Sequence, residues 1–191
     1  MNLFGIFIAA VLGSNVVLMR FLALCPFIGM SQDEGKAVGM GLAVTFVTVL
    51  ATAVTWPLYH YVLVPLNLDF LKILAFILII ASLVQLVEFY LKKAAPALYA
   101  SMGIYLALIT TNCAILAVTF DNISAGYSFI QALVYALGAA IGFMIALLLM
   151  AGIRRKMQAS PVPGFLKGAP IIFIAAALLS MAFSGFSGLG N

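Results

Sequence analysis

Long apolar runs separated by short polar connections dominate the chain. A helix needs about 20 consecutive apolar residues to cross the hydrocarbon core of a bilayer. Stretches that satisfy this length cover residues 3–28, 37–62, 70–91, 98–119, 128–152 and 168–187. The connections between them contain Pro, Gly and charge clusters and leave no room for a soluble domain. The pattern therefore predicts an all-α integral membrane protein, with six transmembrane helices in a single domain over residues 1–191.

The composition agrees with this prediction. Of the 191 residues, 66% are hydrophobic and only 7% are charged, which lies far outside the usual range of soluble domains. The opening "MNLFGIFIAAVLG" has neither the basic region nor the cleavage pattern of a secretory signal, so we expect it to remain as the first span. The formal charge of +4 is interpreted as a topology signal, and we expect no nucleic-acid partner.

The positions of the basic residues predict the orientation of the spans. With six spans, Lys72 is close to the side that holds both termini. On the opposite side lie Lys36, Lys92, Lys93, Arg154, Arg155, Lys156 and Lys167. Because Lys and Arg are enriched on the cytoplasmic side, both termini are expected outside. The aromatic group Trp56–Tyr61 then marks the outer headgroup level, and His60 within it is interpreted as an interfacial residue.

The two halves of the chain resemble each other. The segments "FLKILAFILIIASL" (70–83) and "FLKGAPIIFIAAALL" (165–179) open the third and sixth spans, and a shift of 88 residues places Cys25 over Cys113. Each half, about 1–95 and 96–191, has an odd number of spans and must cross the membrane in the opposite direction to the other. The sequence thus predicts two inverted three-helix repeats, in which the two cysteines approach the axis that relates the halves.

Both cysteines lie where a span is expected to break. Pro26 disfavours helical backbone at Cys25 and removes a backbone donor. In the second half, side chains that bond to nearby backbone precede Cys113. Broken first and fourth spans are therefore predicted, and they should face protein or a cavity because irregular backbone is not tolerated against lipid.

The residues alone leave three interpretations of the cysteines open. Free cysteine is commonly a small buried hydrophobe, a disulfide is geometrically allowed, and thiolates bind metals and clusters. A [2Fe–2S] cluster usually takes four thiolates, whereas this chain has two cysteines and no Cys-x-x-Cys motif. A cluster would therefore need a second polypeptide to supply the other pair.

Several segments carry a resemblance to a known family. "FLALCPFIGMS", "GIYLALITTNCAIL", "AGIRRKM" followed by "VPGFLKG", and the closing "MAFSGFSGL" resemble the A subunits of Rnf-type electron transport complexes. The homologous E subunits of the sodium-pumping NADH:quinone reductase (Nqr) are similar, although the "LCPF" form is closer to the Rnf members. The resemblance covers essentially the whole chain, including the six-span layout.

This resemblance implies a function. The chain would pair with a paralogous membrane protein, the E subunit of Rnf complexes, and the two would hold a [2Fe–2S] cluster near mid-membrane, with Cys25 and Cys113 as the ligands from this chain. With the other Rnf subunits it would form an ion-translocating ferredoxin:NAD oxidoreductase in the cytoplasmic (inner) membrane of a bacterium or archaeon. This chain would be one component of a redox-driven translocase of Na+ or H+ and would itself bind no nucleotide.

Other polar residues within the spans are weaker candidates for tuning the cluster or forming an ion path: Asn15, Arg20, Glu88, Thr110, Thr111 and Asn112. Thr110, Thr111 and Asn112 could equally serve helix packing. Arg20 either raises the reduction potential through its charge or extends toward the cytoplasmic side. Glu88 either binds the coupling ion or pairs with Lys92 one turn later.

A different class of function also agrees with part of the pattern. Inverted repeats and broken spans are typical of small secondary transporters, which would need no cluster. A membrane scaffold with inert cysteines is the third alternative.

Overall fold

The computed structural model describes residues 3–13, 15–65, 69–94, 112–158 and 168–185, and these ranges contain helices and connections but no β-strand. In chain order the α-helices are α1 (Leu3–Ile8), α2 (Val16–Arg20), α3 (Leu24–Met30), α4 (Glu34–Leu58), α5 (Lys72–Ala94), α6 (Cys113–Ser124), α7 (Phe129–Gln158) and α8 (Ala169–Ser184). Short π-helical turns over Ala9–Gly13 and Tyr59–Leu63 extend α1 and α4, and a 3-10 turn over Asp69–Leu71 precedes α5. The prediction of an all-α protein is confirmed.

Three helices in the described ranges are long and apolar enough to cross a membrane. They cover Glu34–Leu63, Lys72–Tyr90 and Phe129–Gln158 and correspond to the predicted second, third and fifth spans. Helices α6 and α8 are apolar but shorter.

Helices α4 and α7 pack along each other at the centre of the molecule. At Gly41 of α4, an added Cβ atom would lie 2.6 Å from Cγ of Met144 on α7, so only glycine permits this approach. Three threonines of α4 satisfy their hydroxyls within the helix: Thr45, Thr48 and Thr55 donate to the carbonyls of Gly41, Val44 and Ala51. Such bonds let polar side chains lie inside an apolar bundle without a loss of hydrogen bonding.

The first segment of the chain packs into a glycine-lined surface of α7. A Cβ atom at Gly138 would lie 2.8 Å from Cβ of Ala10, and one at Gly142 would lie 2.9 Å from the carbonyl oxygen of Val11. Glycines four residues apart allow backbones in membranes to approach closely, as in this pair. The sequence before Cys25 is thereby fixed against the central helix.

The predicted break in the first span is present, but it lies before Pro26 and not at it. Pro26 is the third residue of α3, where a backbone N–H would have no acceptor within the helix, so proline is tolerated. The interruption falls instead at Phe21 and Ala23, whose φ angles are 53° and 60°. This left-handed conformation is unfavourable for residues with a Cβ atom, by about 1–2 kcal/mol each. The expectation that Cys25 lies in non-helical backbone is therefore wrong.

Three contacts define the course of the chain through this break. Asn15 bonds to the carbonyl of Gly142, midway along α7. Arg20 then reaches Asp121, whose carboxylate also binds Tyr135, two turns nearer the start of α7. The chain thus runs back along α7 between these points before α3 proceeds toward the other end of the bundle.

Candidate functional site

Helix α6 begins at Cys113 because Asn112 caps it. The Asn112 backbone is extended, and its side-chain oxygen accepts a hydrogen bond from the N–H of Ala114 at 3.0 Å. Cys113 is therefore the first residue of the helix, and its thiol is exposed on this chain. The helix start lies within the predicted fourth span; Thr110 and Thr111 lie outside the described residues, so the predicted break of this span stays a prediction.

The structure brings the two cysteine segments together. The backbone N–H of Ala23 donates to Sγ of Cys113 at 2.9 Å. Cys25 follows Ala23 by two residues, which span at most about 7 Å of chain. Cys25 is also exposed, and neither cysteine is in a disulfide. On this chain alone, both thiols are accessible.

The surroundings of Cys113 place hydrogen-bond donors next to its sulfur. The thiol lies at the N-terminal end of α6, where the helix dipole and free backbone N–H groups are positive. The Ala23 N–H already points at Sγ. Next to it, Asn112 is 4% exposed and its side-chain nitrogen has no hydrogen-bond partner. A buried amide N–H without an acceptor is a donor available to an anionic group beside it.

The two thiols can be compared with the donor set that a [2Fe–2S] cluster requires. Within the described ranges, no group of three or more His, Cys, Asp or Glu side chains could hold a metal ion. A [2Fe–2S] cluster takes four thiolates in total, so the two thiols of this chain would be half of the number required. The residues present fit such a group only if another polypeptide covers the exposed side.

A charged cluster that the sequence analysis missed involves α6, the helix that begins at Cys113, together with α2 and α7. Nη1 of Arg20 donates to both carboxylate oxygens of Asp121 at 2.9 Å, and the Tyr135 hydroxyl donates to Oδ2 at 3.2 Å. The sequence placed residues 120–127 in a connection, but α6 continues to Ser124. A signal was available: Asp121 is the only acidic residue after Glu88.

Two arginines, Arg154 and Arg20, form contacts that position the segments next to the cysteines. Arg154 of α7 donates to the carbonyl of Ile28 at 2.8 Å and to the hydroxyl of Ser31 at 2.9 Å. A cation at the C-terminal end of a helix also complements its dipole, so Arg154 fixes the far end of α3. Arg20, for which two roles were open, pairs with Asp121.

The remaining candidates lie elsewhere. Asn15 is 1% exposed, caps α2 by accepting from the N–H groups of Val17 and Leu18, and donates to the carbonyl of Gly142. Glu88 lies on α5 with Lys92 one turn later. His60 stacks on Trp56 with ring centroids 4.8 Å apart, as an aromatic belt residue would.

Comparison with known proteins gives a consistent result. The family model described as "Rnf-Nqr subunit, membrane protein" matches residues 3–190. The A subunit of an ion-translocating oxidoreductase complex from Syntrophotalea carbinolica is 54% identical, over 98% of this chain and 97% of that relative. The A subunit of a Na+-translocating ferredoxin:NAD+ oxidoreductase complex from Acetobacterium woodii is 51% identical over 99% and 98%. The A subunit of a proton-translocating ferredoxin:NAD+ oxidoreductase complex from Clostridium ljungdahlii is 49% identical over 96% and 95%. The chain therefore belongs to the Rnf-Nqr family of membrane subunits and, within it, groups with the A subunits of Rnf complexes.

Proposed function

We propose that Cys25 and Cys113 supply two of the four thiolate ligands of a [2Fe–2S] cluster that this chain shares with a paralogous membrane protein, the counterpart of the E subunit of Rnf complexes. The observation that carries the proposal is the hydrogen bond from the Ala23 N–H to Sγ of Cys113, which joins the two cysteine segments. Both thiols are exposed on this chain, as ligands completed by a partner must be.

The chain would contribute position and electrostatics to such a site. A bound cluster would supply one-electron transfer. The N-terminus of α6, the Ala23 N–H and the unpaired amide of Asn112 would stabilise the anionic sulfurs inside a low-dielectric environment. Arg154, which caps α3, would keep Cys25 in place from the other end of that helix.

At the level of the complex, the chain would be a membrane component of a redox-driven ion translocase. Relatives of half-identical sequence are named as subunits of ion-translocating ferredoxin:NAD+ oxidoreductases. In this role the chain passes electrons across the membrane, coupled to movement of Na+ or H+, while other subunits carry out the nucleotide chemistry.

The proposal includes the membrane layout: six spans in two inverted halves, both termini outside, in the cytoplasmic (inner) membrane. The order of elements supports it. In the first half, α3 carries a cysteine in its first turn, a 30-residue helical span over Glu34–Leu63 follows, and α5 comes next. In the second half, α6 begins at a cysteine, α7 has 30 residues, and α8 follows.

The test is low-temperature electron paramagnetic resonance, with iron and acid-labile sulfide analysis, on the dithionite-reduced assembly of this chain with its co-purifying membrane partner. Cys25→Ala and Cys113→Ala should each abolish the [2Fe–2S] signal. Leu178→Ala, which truncates a lipid-accessible side chain of α8, is the control and should leave the signal unchanged.

An intact assembly without a [2Fe–2S] signal would contradict the proposal. The transporter interpretation would then be favoured if the purified, cysteine-free chain alone took up a substrate into vesicles. Loss of assembly in the alanine variants is distinguished from loss of the cluster by size-exclusion chromatography of the same samples.

A further inference from the structure

The break between α2 and α3 is exposed on one side of the chain. Val16–Leu18 of α2 are buried against the rest of the bundle. The next residues turn outward: the side chain of Arg20 is 52% exposed, and Phe21 is 47% exposed. Cys25, in the first turn of α3, is exposed as well. Exposed positions of very different polarity therefore follow one another across the break.

Two contacts fix the depth of the break relative to α7. At one end, Arg20 binds Asp121, which in turn binds Tyr135 of α7. At the other end, Arg154 of α7 binds the carbonyl of Ile28 in α3. Tyr135 and Arg154 are 19 residues apart, or about 28 Å along the helix, close to the thickness of about 30 Å of the hydrocarbon core. Because α7 is long and apolar enough to cross a membrane, the break lies at the depth of its membrane-spanning part.

Lipid does not suit a surface of this kind. Phe21 and Ala23 have left-handed backbone angles, so the chain is irregular here. Irregular backbone at membrane depth occurs only where protein or a water-filled cavity covers it. A charged side chain at this depth, such as that of Arg20, also faces protein or water. The break therefore needs a cover other than lipid.

Water alone does not suit the surface either. A half-exposed phenylalanine would place its ring against water, which is unfavourable for an apolar group. Arg20 uses Nη1 for both oxygens of Asp121, whereas a guanidinium has five N–H donors. In the part of the chain that the structure describes, no oxygen accepts from its Nη2 or Nε. An apolar side chain beside unused donors matches a protein surface with an apolar pocket and an acceptor oxygen.

We propose that Arg20 and Phe21 form a docking surface for the paralogous membrane partner. Phe21 packs against apolar side chains of the partner, and the outer N–H groups of Arg20 bind one of its carbonyl or carboxylate oxygens. That a protein covers this surface follows from depth and polarity, without either thiol.

The choice of the occupant rests on the proposed function. Phe21 lies two residues before Ala23, at most about 7 Å of chain, and Ala23 is bonded to Sγ of Cys113. A helix with its side chains is about 10–12 Å wide. A partner helix that brings ligands to the thiols would therefore also cover Phe21.

The test is photo-crosslinking within the whole complex in its native membrane. Phe21→p-benzoylphenylalanine retains the aromatic ring and the Cβ atom, and mass spectrometry of the adduct should identify the paralogous subunit. Phe46 provides the matched control, because it is also an exposed phenylalanine, at 59%, but lies in the middle of the regular helix α4. The same replacement at Phe46 should give no adduct with that subunit.

Four results would overturn the proposal. An adduct with a second copy of this chain would assign the surface to self-association, and an adduct with lipid alone would show that lipid covers the break. An assembled complex without any adduct would indicate a water-filled cavity. Equal yields of the subunit adduct at both positions would show that the contact is not specific to the break.

A second variant covers the case in which the larger ring prevents assembly. Phe21→Gly removes the side chain, and glycine adopts a φ angle of 53° without strain, so the chain alone should fold at least as well. The ratio of bound to free chain after dilution in detergent should nevertheless fall about fivefold or more, as for a central interface contact. Phe46→Ala should leave that ratio unchanged, and an unchanged ratio in Phe21→Gly would contradict a role in docking.

The two proposals fail separately. A complex that gives the adduct at position 21 but has no [2Fe–2S] signal would refute the cluster and retain the docking surface. A complex with the signal but without the adduct would refute the docking surface alone.

Discussion

Replacement of Gly142 by alanine tests whether the first segment is held on α7 as described. An added Cβ atom would lie 2.9 Å from the carbonyl oxygen of Val11, 3.3 Å from Nδ2 of Asn15 and 3.4 Å from Cα of Val11. Two of these three atoms belong to backbone, so no side-chain rotation relieves the contact. The hydrogen bond from Asn15 to the Gly142 carbonyl would be displaced as well.

The expected effect follows from three contributions. Overpacking destabilises a core by about 1–3 kcal/mol. Loss of the Asn15 hydrogen bond adds about 1 kcal/mol. Alanine restores about 1 kcal/mol because its helix propensity exceeds that of glycine. The net change in the free energy of unfolding is about 1–3 kcal/mol, a fall in Tm of roughly 2–12 °C for a chain of this size.

The same helix provides the control. Nothing lies within 4 Å of a Cβ atom added at Gly152. Gly152→Ala should therefore gain only the stability that comes from the higher helix propensity of alanine. It is therefore expected to raise stability by about 0.5–1 kcal/mol. Thermal unfolding of the two variants in one detergent measures the difference. Equal shifts in the same direction would refute the close approach of the first segment to α7.

Three further predictions concern residues around the site. Asn112→Ala removes the cap of α6 and should reduce stability by about 0.5–2 kcal/mol, whereas Asn112→Ser, which retains an acceptor, should lose less; chemical unfolding followed by circular dichroism separates them. Arg154→Ala should reduce stability by about 1–3 kcal/mol, because it leaves the carbonyl end of α3 uncapped. Thermal unfolding checks this, with Lys156→Ala as the control because the Lys156 side chain is exposed. Thr52→Val removes a buried hydroxyl without a partner and should leave stability equal or raise it by about 1 kcal/mol, whereas Thr48→Val removes a hydroxyl that donates to the Val44 carbonyl and should lower it; thermal unfolding of the two variants checks this.

The sequence was sufficient for the long helices. The apolar runs at 37–62, 70–91 and 128–152 are uniform enough to identify helices within a few residues of their ends. The contact between the segments of Cys25 and Cys113, through the Ala23 N–H, is in the direction that the family resemblance implied. Local pattern therefore predicted the long helices, whereas the inverted repeat stays a prediction.

Two features could not be read from local pattern. Pro26 suggested a break at Cys25, but proline is compatible with the first turn of a helix, so the break moved to Phe21 and Ala23. Asp121 suggested a connection, since charge is rare in a span. Its helix persists because Arg20, 101 residues away in sequence, neutralises the carboxylate. Such long-range compensation leaves no trace in a window of neighbouring residues.

The segment from Asn15 to Ala23 joins the cysteine site to the ion pair of Arg20 with Asp121. It has few helical hydrogen bonds of its own, so contacts with other elements determine its position. These contacts include Asn15 with Gly142, the Ser180 hydroxyl with the Leu18 carbonyl, Arg20 with Asp121, and Ala23 with Cys113. Arg20 and Ala23 are three positions apart, and both bind side chains of α6. Coupling between two sites needs an element with two arrangements that both sites bias. A displacement of this segment would change the geometry at the thiol and at the carboxylate together, so this is the part of the chain on which such coupling would act.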